Sequence, residues 1–334
     1  MADDHIPRTM LNLMTGAWTT KAIFVTVKLG VIDAMDGDPV SGAELARRTG
    51  TDPDALVRLL RLLTGLGIVD STGDGFTTTP LGDSLRSDDT GSMRDLALIY
   101  GDPFYDAWGR FEDVVRTGRE SFSTVYGKPF FEYANGEPEL ARTFDRAMSA
   151  GSVFFAEVPR AVELAGVRGI VDIAGGSGAL LETLLAAAPE AQGVLLERAD
   201  VLEPVRRRIE GTAVADRLDL RTGDFFQAVP EGADLYVLSR ILHDWGDGEC
   251  SSILANCAAA MGPDSRLLII ERPLDPGRPA SFASYWDLHM LVVMTGARER
   301  TPDEYDRLLA GAGLVPAARH PLPLDMEVLE ARLA

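Results

Sequence analysis

Apolar residues recur at three- and four-residue spacing in two segments of the first quarter of the chain, residues 18–35 and 44–69. This period predicts amphipathic helices. The segment that follows, residues 68–79, places Gly73-Asp74-Gly75 between two β-prone runs, which indicates a hairpin. The pattern therefore predicts a mostly helical N-terminal domain in which helix, turn and helix precede a β-hairpin wing.

The hydrophobic period changes near residue 167. From there, short apolar runs alternate with helix-length segments, an order typical of a parallel sheet that helices cover on both faces. We predict a doubly wound, Rossmann-like α/β domain with five strands, at residues 169–174, 193–197, 218–226, 233–239 and 265–271.

The segment between these two regions is helical in pattern and rich in aromatic residues, so it is expected to line a pocket or form an interface. The predicted organisation is therefore a winged-helix-like domain over residues 1–90, a helical connector over 91–165 and the α/β domain over 166–334.

The charge of the chain restricts its partners. The formal net charge is -19, and between Lys28 and Asp83 five basic residues face nine acidic ones. Such a surface repels phosphate backbones and anionic lipid, so we expect neither a nucleic acid nor a membrane as partner. An alternative function of a different class is a ligand-sensing regulator that binds DNA through a winged helix. The acidic segment between Lys28 and Asp83 argues against it, because a DNA-binding domain needs a basic surface.

The location of the protein is predicted from its cysteines and its N-terminus. Cys250 and Cys257 are too few for a disulfide framework and lack the spacing of a zinc site. The N-terminus is acidic where a secretory signal is basic, and no apolar run is long enough for a membrane span. We expect a cytoplasmic protein.

A nucleotide-type binding site is predicted at the ends of the first three strands of the α/β domain. Val171–Gly178 is a Gly-rich turn between strand and helix, but Leu181 breaks the G-x-G-x-x-G spacing of dehydrogenases. Glu197 ends the second run, where an acid accepts hydrogen bonds from ribose, and Asp224 with Phe225 lies at the end of the third. Each feature alone is also compatible with a tight turn, a solvated acid or a core residue.

Five stretches of the chain resemble one family, in order and over nearly the whole length: VDIAGGSGALL, GDFF, LSRILHDWGDGEC, IIERPLD and DLHMLVVMTGARERTPDEYDRLLAGAGL. The family is that of the plant-type, caffeate-like O-methyltransferases that act on small molecules with S-adenosylmethionine, together with their bacterial natural-product relatives. The resemblance implies a homodimer formed by the N-terminal domain and methyl transfer to a hydroxyl of a small natural-product-type substrate.

Site residues follow from the resemblance position by position. It implies that His243 is the catalytic base, that Glu271 and Glu299 orient it, and that Met148 lies near the substrate. Ser239 departs from the pattern, because plant members often have a cofactor-contacting lysine there. The implied cofactor contacts are Gly175, Gly176, Glu197, Asp224, Phe225 and, more weakly, Ser239.

The chemistry of His243 agrees with this role. A neutral imidazole can remove the proton of a hydroxyl as the methyl group is transferred, and a nearby carboxylate fixes its tautomer. The alternative for His243 is a histidine that only packs beside Trp245.

His289 adds a second imidazole and leaves three interpretations open. It contacts the substrate, it packs in the core, or it binds a divalent metal ion with His243 and Glu271, since two histidines and a carboxylate suit such an ion. The metal interpretation predicts carbon methylation of a 2-oxo acid, because a metal that binds both its oxygens acidifies the neighbouring carbon.

Overall fold

The protein is described from a computed structural model, over residues 5–87, 92–150, 152–278 and 281–334. Its helices are α1 (His5–Met14), α2 (Gly16–Lys28), α3 (Gly42–Thr49), α4 (Pro53–Gly65), α5 (Pro80–Asp83), α6 (Arg94–Gly101), α7 (Phe104–Trp108), α8 (Phe111–Thr117), α9 (Phe122–Tyr126), α10 (Phe130–Gly136), α11 (Pro138–Ala150), α12 (Val158–Ala161), α13 (Ala179–Ala187), α14 (Ala199–Ile209), α15 (Asp247–Ala260), α16 (Phe282–Val293) and α17 (Pro302–Gly311). The strands are β1 (Val69–Thr72), β2 (Gly75–Thr78), β3 (Gly169–Ile173), β4 (Gln192–Glu197), β5 (Leu218–Thr222), β6 (Leu235–Ser239), β7 (Arg266–Glu271), β8 (Leu314–Pro321) and β9 (Glu327–Leu333). Three 3₁₀ helices cover Val153–Glu157, Ala215–Arg217 and Leu242–Asp244.

The chain forms two compact units. The first comprises Met1–Gly109 and Tyr133–Gly151, and the second comprises Arg110–Glu132 and Ser152–Ala334. Residues 91–165, expected as a separate connector, therefore contribute to both units.

In the first unit, local hydrogen bonds define where α3 and α4 begin. The Ser41 side chain accepts from the Glu44 N–H, and the Asp52 carboxylate accepts from the Ala55 N–H at 2.8 Å, so both residues are N-caps. Leu56, at an apolar position of α4, is buried in the core of this unit. The antiparallel β1–β2 hairpin follows, as the sequence pattern predicts.

Helix α1 has no buried residue, although it is strongly amphipathic. Its Ile6 and Leu13 side chains are 75% and 67% exposed, and Trp18 on α2 is 70% exposed. An exposed apolar face of this kind suits contact with another protein chain.

The second unit contains a seven-stranded sheet in the order β5-β4-β3-β6-β7-β9-β8. The first five strands are parallel and correspond to the five predicted runs, so the doubly wound prediction is confirmed. The strand order reverses at β3, and ligands bind at the carboxyl ends of strands beside such a point.

The last two strands, β8 and β9, were not predicted, and both are antiparallel to their neighbours. Strand β8 lies at the sheet edge and carries Pro316 and Pro321, residues that argue against a strand when only the sequence is considered. The sheet is therefore mixed, with two antiparallel strands beyond the five parallel strands that the sequence predicts.

Both cysteines lie buried on α15, and burial raises the pKa of the Cys257 thiol to about 12. Both thiols are free, and their burial keeps them unreactive. Within the described residues, no helix combines the length and apolar character needed to cross a membrane.

We expect Gly101→Ala to destabilise the first unit by about 1–3 kcal/mol, the usual cost of overpacking. A Cβ atom on Gly101, the last residue of α6, would lie 2.2 Å from Cγ of Phe24. Gly65→Ala is the matched control, because Gly65 ends α4 and a Cβ there meets nothing within 4 Å. Urea unfolding of both variants is the measurement, and equal stability would contradict tight packing of α6 against α2.

Candidate active site

The Gly-rich turn links β3 to α13. Its backbone takes the left-handed region at Ala174, Gly176 and Gly178, with φ of 54°, 56° and 76°. A Cβ atom on Gly175 would lie 2.2 Å from Oδ2 of Asp172, so only glycine fits at that position. The turn therefore presents bare backbone at the carboxyl end of β3, which allows close approach of a ligand.

The other residues predicted to bind a nucleotide lie at the ends of the adjacent strands β4 and β5. Glu197 ends β4, and its Oε2 accepts a hydrogen bond from the Gly176 N–H at 3.2 Å. Asp224 and Phe225 follow the end of β5, where Asp224 Oδ1 accepts from the Phe226 N–H at 2.9 Å and Phe225 is half-buried. Three neighbouring strands thus bring these residues to one edge of the sheet.

Two polar side chains at the same edge are buried without a protein hydrogen bond. Neither carboxylate oxygen of Asp172 nor Oγ of Ser239 has a partner among the described residues. Burial, and then the charge of Glu197, raises the pKa of Asp172 to about 7. Unpaired buried groups are rare in proteins, and both of these lie at the edge of the sheet where a ligand would bind.

His243 lies beyond β6 in the 3₁₀ helix Leu242–Asp244, and its side chain is buried. Its Nδ1 is 3.1 Å from Oε1 of Glu299 and 3.7 Å from Oε2 of Glu271. An ionised carboxylate can only accept, so the contact with Glu299 places a proton on Nδ1, and Nε2 lies 3.5 Å from Oδ1 of Asp244. The three residues predicted as a catalytic group therefore lie together.

Glu271 and Glu299 have different contacts. Oε1 of Glu271 accepts the backbone N–H groups of Ile241, Leu242 and His243 at 3.1, 2.9 and 3.4 Å. Glu271 therefore fixes the backbone that carries His243, whereas Glu299 makes the hydrogen bond to the ring.

The charges of this cluster are coupled. Burial alone would lower the pKa of His243, but Glu271, Asp244 and Glu299 raise it above its usual value. Burial raises the pKa of Glu271 in turn, although His243 opposes this shift. The cluster therefore shares its protons, and its titration belongs to the group rather than to one residue.

Two further residues of the cluster were missed in the sequence. Asp244 Oδ1 lies 3.5 Å from Nε2 of His243, and burial raises the Asp244 pKa to about 6. Its position directly after His243 was the available signal. Arg300 is fully buried and donates to the carbonyl oxygens of Leu242 and Trp245, both at 2.7 Å.

His289 and Met148 lie on separate units. His289 is buried on α16 of the second unit, and burial followed by the charge of His243 lowers its pKa to about 4. Met148 is half-buried on α11 of the first unit.

A possible metal-binding group among the described residues consists of His243, Glu271 and Glu299, whose ligand atoms lie within 4.8 Å of one another. This group differs from the metal site considered from the sequence, which combined His243 and Glu271 with His289 instead of Glu299. The site with His289 stays a prediction.

Comparison with known proteins identifies both parts of the chain. Residues 108–315 match the O-methyltransferase domain, and residues 11–88 match the O-methyltransferase dimerisation domain. The chain is 44% identical to 3-amino-4-hydroxybenzoate 4-O-methyltransferase of Streptomyces cremeus, over 99% of this chain and 92% of that protein.

Solved structures agree with this result. The mitomycin 7-O-methyltransferase MmcR superposes with a TM-score of 0.91 at 36% identity, covering 100% of this chain and 99% of that one. NcsB1 from neocarzinostatin biosynthesis, solved with S-adenosylmethionine and 2-hydroxy-5-methyl naphthoic acid, has a TM-score of 0.81 at 31% identity and covers 95% and 96%. The resemblance seen in the sequence is confirmed. The chain belongs to the O-methyltransferase family and is an S-adenosylmethionine-dependent enzyme related to those of natural-product pathways.

Proposed function

We propose that the enzyme methylates a hydroxyl of an aromatic acid and that His243 is the general base. The observation that carries this proposal is the buried cluster in which Glu299 holds Nδ1 of His243 and leaves Nε2 free. A base with this geometry can take a proton from a hydroxyl as its oxygen attacks a methyl group.

The residues at the edge of β3, β4 and β5 fit S-adenosylmethionine. Gly175 leaves room for the carboxyl group of Asp172, with which a Cβ atom would clash, and the buried oxygens of Asp172 and Ser239 make no hydrogen bond among the described residues. We propose that Glu197 binds the ribose, that Asp224 and Phe225 contact the adenine, and that Gly175 and Gly176 contact the methionine part. The bound cofactor supplies an electrophilic methyl group on a sulfonium.

The proposed proton transfer starts at the acceptor hydroxyl. Nε2 of His243 takes the hydroxyl proton, and the resulting imidazolium is stabilised by Glu299, Glu271 and Asp244. These acids raise the pKa of His243 to about 10, so the ring holds its proton strongly and has to lose it before Nε2 can act as a base.

The substrate class is inferred from relatives. One relative is named for 3-amino-4-hydroxybenzoate, and one solved neighbour contains a hydroxy-naphthoic acid. Both molecules are aromatic acids that carry a hydroxyl. We propose the same class for this enzyme, with His289, neutral at physiological pH because of its low pKa, as a substrate contact. The assignment of Met148 to the substrate, which the resemblance implies, stays a prediction.

The remaining assignments are also proposals. We assign residues 1–90 to dimerisation, 91–165 to lining the substrate site and 166–334 to methyl transfer. A cytoplasmic location follows from the two free, buried cysteines. The match of residues 11–88 to a dimerisation domain favours a homodimer over a DNA-binding regulator.

His243→Asn is expected to lower the turnover number about 10²- to 10⁴-fold, because the acceptor loses its base. The measurement is methylated product from 3-amino-4-hydroxybenzoate and S-adenosylmethionine by mass spectrometry, with cofactor affinity from calorimetry expected near normal. His320→Asn on β8 is the matched control and should keep its activity. Full activity of His243→Asn would show that His243 is not the general base.

Asp224→Ala should weaken cofactor binding by about 1–3 kcal/mol, the usual cost of one lost hydrogen bond and an unpaired partner. Turnover at saturating cofactor should change little. Asp219→Ala, a change at an exposed residue of β5, is the control for calorimetric titration with S-adenosylmethionine. Unchanged affinity of Asp224→Ala, with only a slower rate, would contradict the adenine contact.

Leu13→Glu together with Trp18→Glu should convert a homodimer into a monomer, because both side chains are exposed apolar groups in the matched dimerisation region. Sedimentation equilibrium at micromolar concentration is the measurement. Val315→Glu, also at an exposed apolar residue but in the second unit, should leave the dimer intact. If the wild-type protein is a monomer in the same measurement, the predicted homodimer is wrong.

A further inference from the structure

A small cavity of the second unit borders Glu271, a member of the buried cluster around His243. Glu271 at the end of β7 and Glu327 at the start of β9 are register partners, so their side chains project from the same face of the sheet. A cavity of about 10 Å³ is lined by both acids, by Tyr305 of α17 and by Arg319 of β8. A cavity of this size holds about one water molecule.

Two of the residues that line the cavity have a buried polar atom without a hydrogen bond. Tyr305 is 2% exposed, and its hydroxyl has no hydrogen-bond partner among the described residues. The same is true of Oε2 of Glu271, although Oε1 of that carboxylate accepts three backbone N–H groups. Buried tyrosine hydroxyls and carboxylate oxygens usually have partners, so two such atoms at one cavity point to a partner that they share.

The two atoms differ in what they can offer to that partner. A phenol is protonated at neutral pH, and burial raises the pKa of Tyr305 further, so its hydroxyl can donate. A carboxylate oxygen of Glu271 can only accept. A water molecule can accept from the hydroxyl and donate to the carboxylate at the same time. The ion pair between Nη1 of Arg319 and Oε1 of Glu327, at 2.8 Å, adds further polar groups to the wall, as a buried water requires.

We propose that this cavity binds one water molecule, which joins the Tyr305 hydroxyl to Oε2 of Glu271 and makes Tyr305 a positioning residue for His243. Oε1 of Glu271 holds the backbone of residues 241–243, and Oε2 lies 3.7 Å from Nδ1 of the ring. A hydrogen bond to Oε2 fixes the orientation of the whole carboxylate, and with it the segment that carries His243. The effect on catalysis rests on the proposed role of His243, whereas the water site does not depend on it.

A crystal structure of the full-length protein, at a resolution that shows ordered water, tests the site directly. We expect one water oxygen at about 2.5–3.0 Å from both the Tyr305 hydroxyl oxygen and Oε2 of Glu271. In a crystal structure of Tyr305→Phe this water should be lost or displaced. A dry cavity in the wild-type structure, a direct hydrogen bond between Tyr305 and Glu271, or a water that Tyr305→Phe leaves unmoved would overturn the proposal.

The positioning role predicts that turnover and binding respond differently. Tyr305→Phe should lower the turnover number about 10-fold, the order of effect seen when a supporting hydrogen bond behind a functional group is removed. The KM for 3-amino-4-hydroxybenzoate and the affinity for S-adenosylmethionine should stay near normal, because the substituted residue touches neither molecule.

Tyr236→Phe is the matched control. The Tyr236 hydroxyl is also buried, but it donates to the Ala260 carbonyl at 2.7 Å and accepts from the Ala233 N–H, at the opposite end of β6 from His243. Tyr236→Phe should therefore unfold at a lower urea concentration and keep its turnover number. If both variants lose turnover equally, Tyr305 has only a general packing role and the positioning role is refuted.

Nuclear magnetic resonance gives a measurement that needs no turnover. The imidazole nitrogen signals of His243 should shift in Tyr305→Phe and stay in place in Tyr236→Phe. Normal turnover with unshifted His243 signals in a folded Tyr305→Phe would contradict the positioning role. If Tyr305→Phe does not fold, the water in the wild-type crystal structure still decides whether the site exists. A wild-type protein that does not methylate 3-amino-4-hydroxybenzoate would instead refute the proposed substrate, and the crystal structure and the His243 signals would still test the water and Tyr305.

Discussion

Three backbone N–H groups converge on one buried carboxylate oxygen, and the proposed chemistry depends on this arrangement. Oε1 of Glu271 accepts from residues 241–243, so the end of β7 fixes the segment that follows β6. The carbonyl side of that segment is held by Arg300, and the His243 carbonyl accepts from the Arg298 N–H at 2.9 Å. With the backbone held on both sides, the imidazole has one position, which is what preorganised catalysis requires.

The same contacts explain how the protein tolerates so much buried charge. Glu271, Glu299 and Asp244 surround a single imidazole, and isolated carboxylates would be very costly there. Sharing protons within the group lowers this cost, and the buried guanidinium of Arg300 adds a positive charge behind the cluster. In the proposed mechanism, a proton taken from a substrate is shared among these groups, which stabilises the protonated state.

The sequence predicted the parts of the fold that depend on local pattern. Each parallel strand was a short apolar run, and because parallel strands end at the same edge, residues after those runs could be expected to meet there. The sequence could not predict that Glu271 binds the backbone of residues 241–243 while Glu299 binds the imidazole ring. This difference depends on distances of a few tenths of an ångström. Strand β8 was missed because its two prolines oppose a strand that only pairing with β9 stabilises. Arg300 was missed because a buried arginine has no local signature.

Acidic side chains occur both in the His243 cluster and at the proposed cofactor site, and their surroundings differ. Glu299 lies 3.1 Å from Nδ1 of His243 and so holds the ring of the proposed base in place. Asp172 is instead fully buried beneath the Gly-rich turn, where burial, and then the charge of Glu197, raises its pKa to about 7. The surroundings of each carboxyl group, rather than its residue type, thus determine which protonation state it favours.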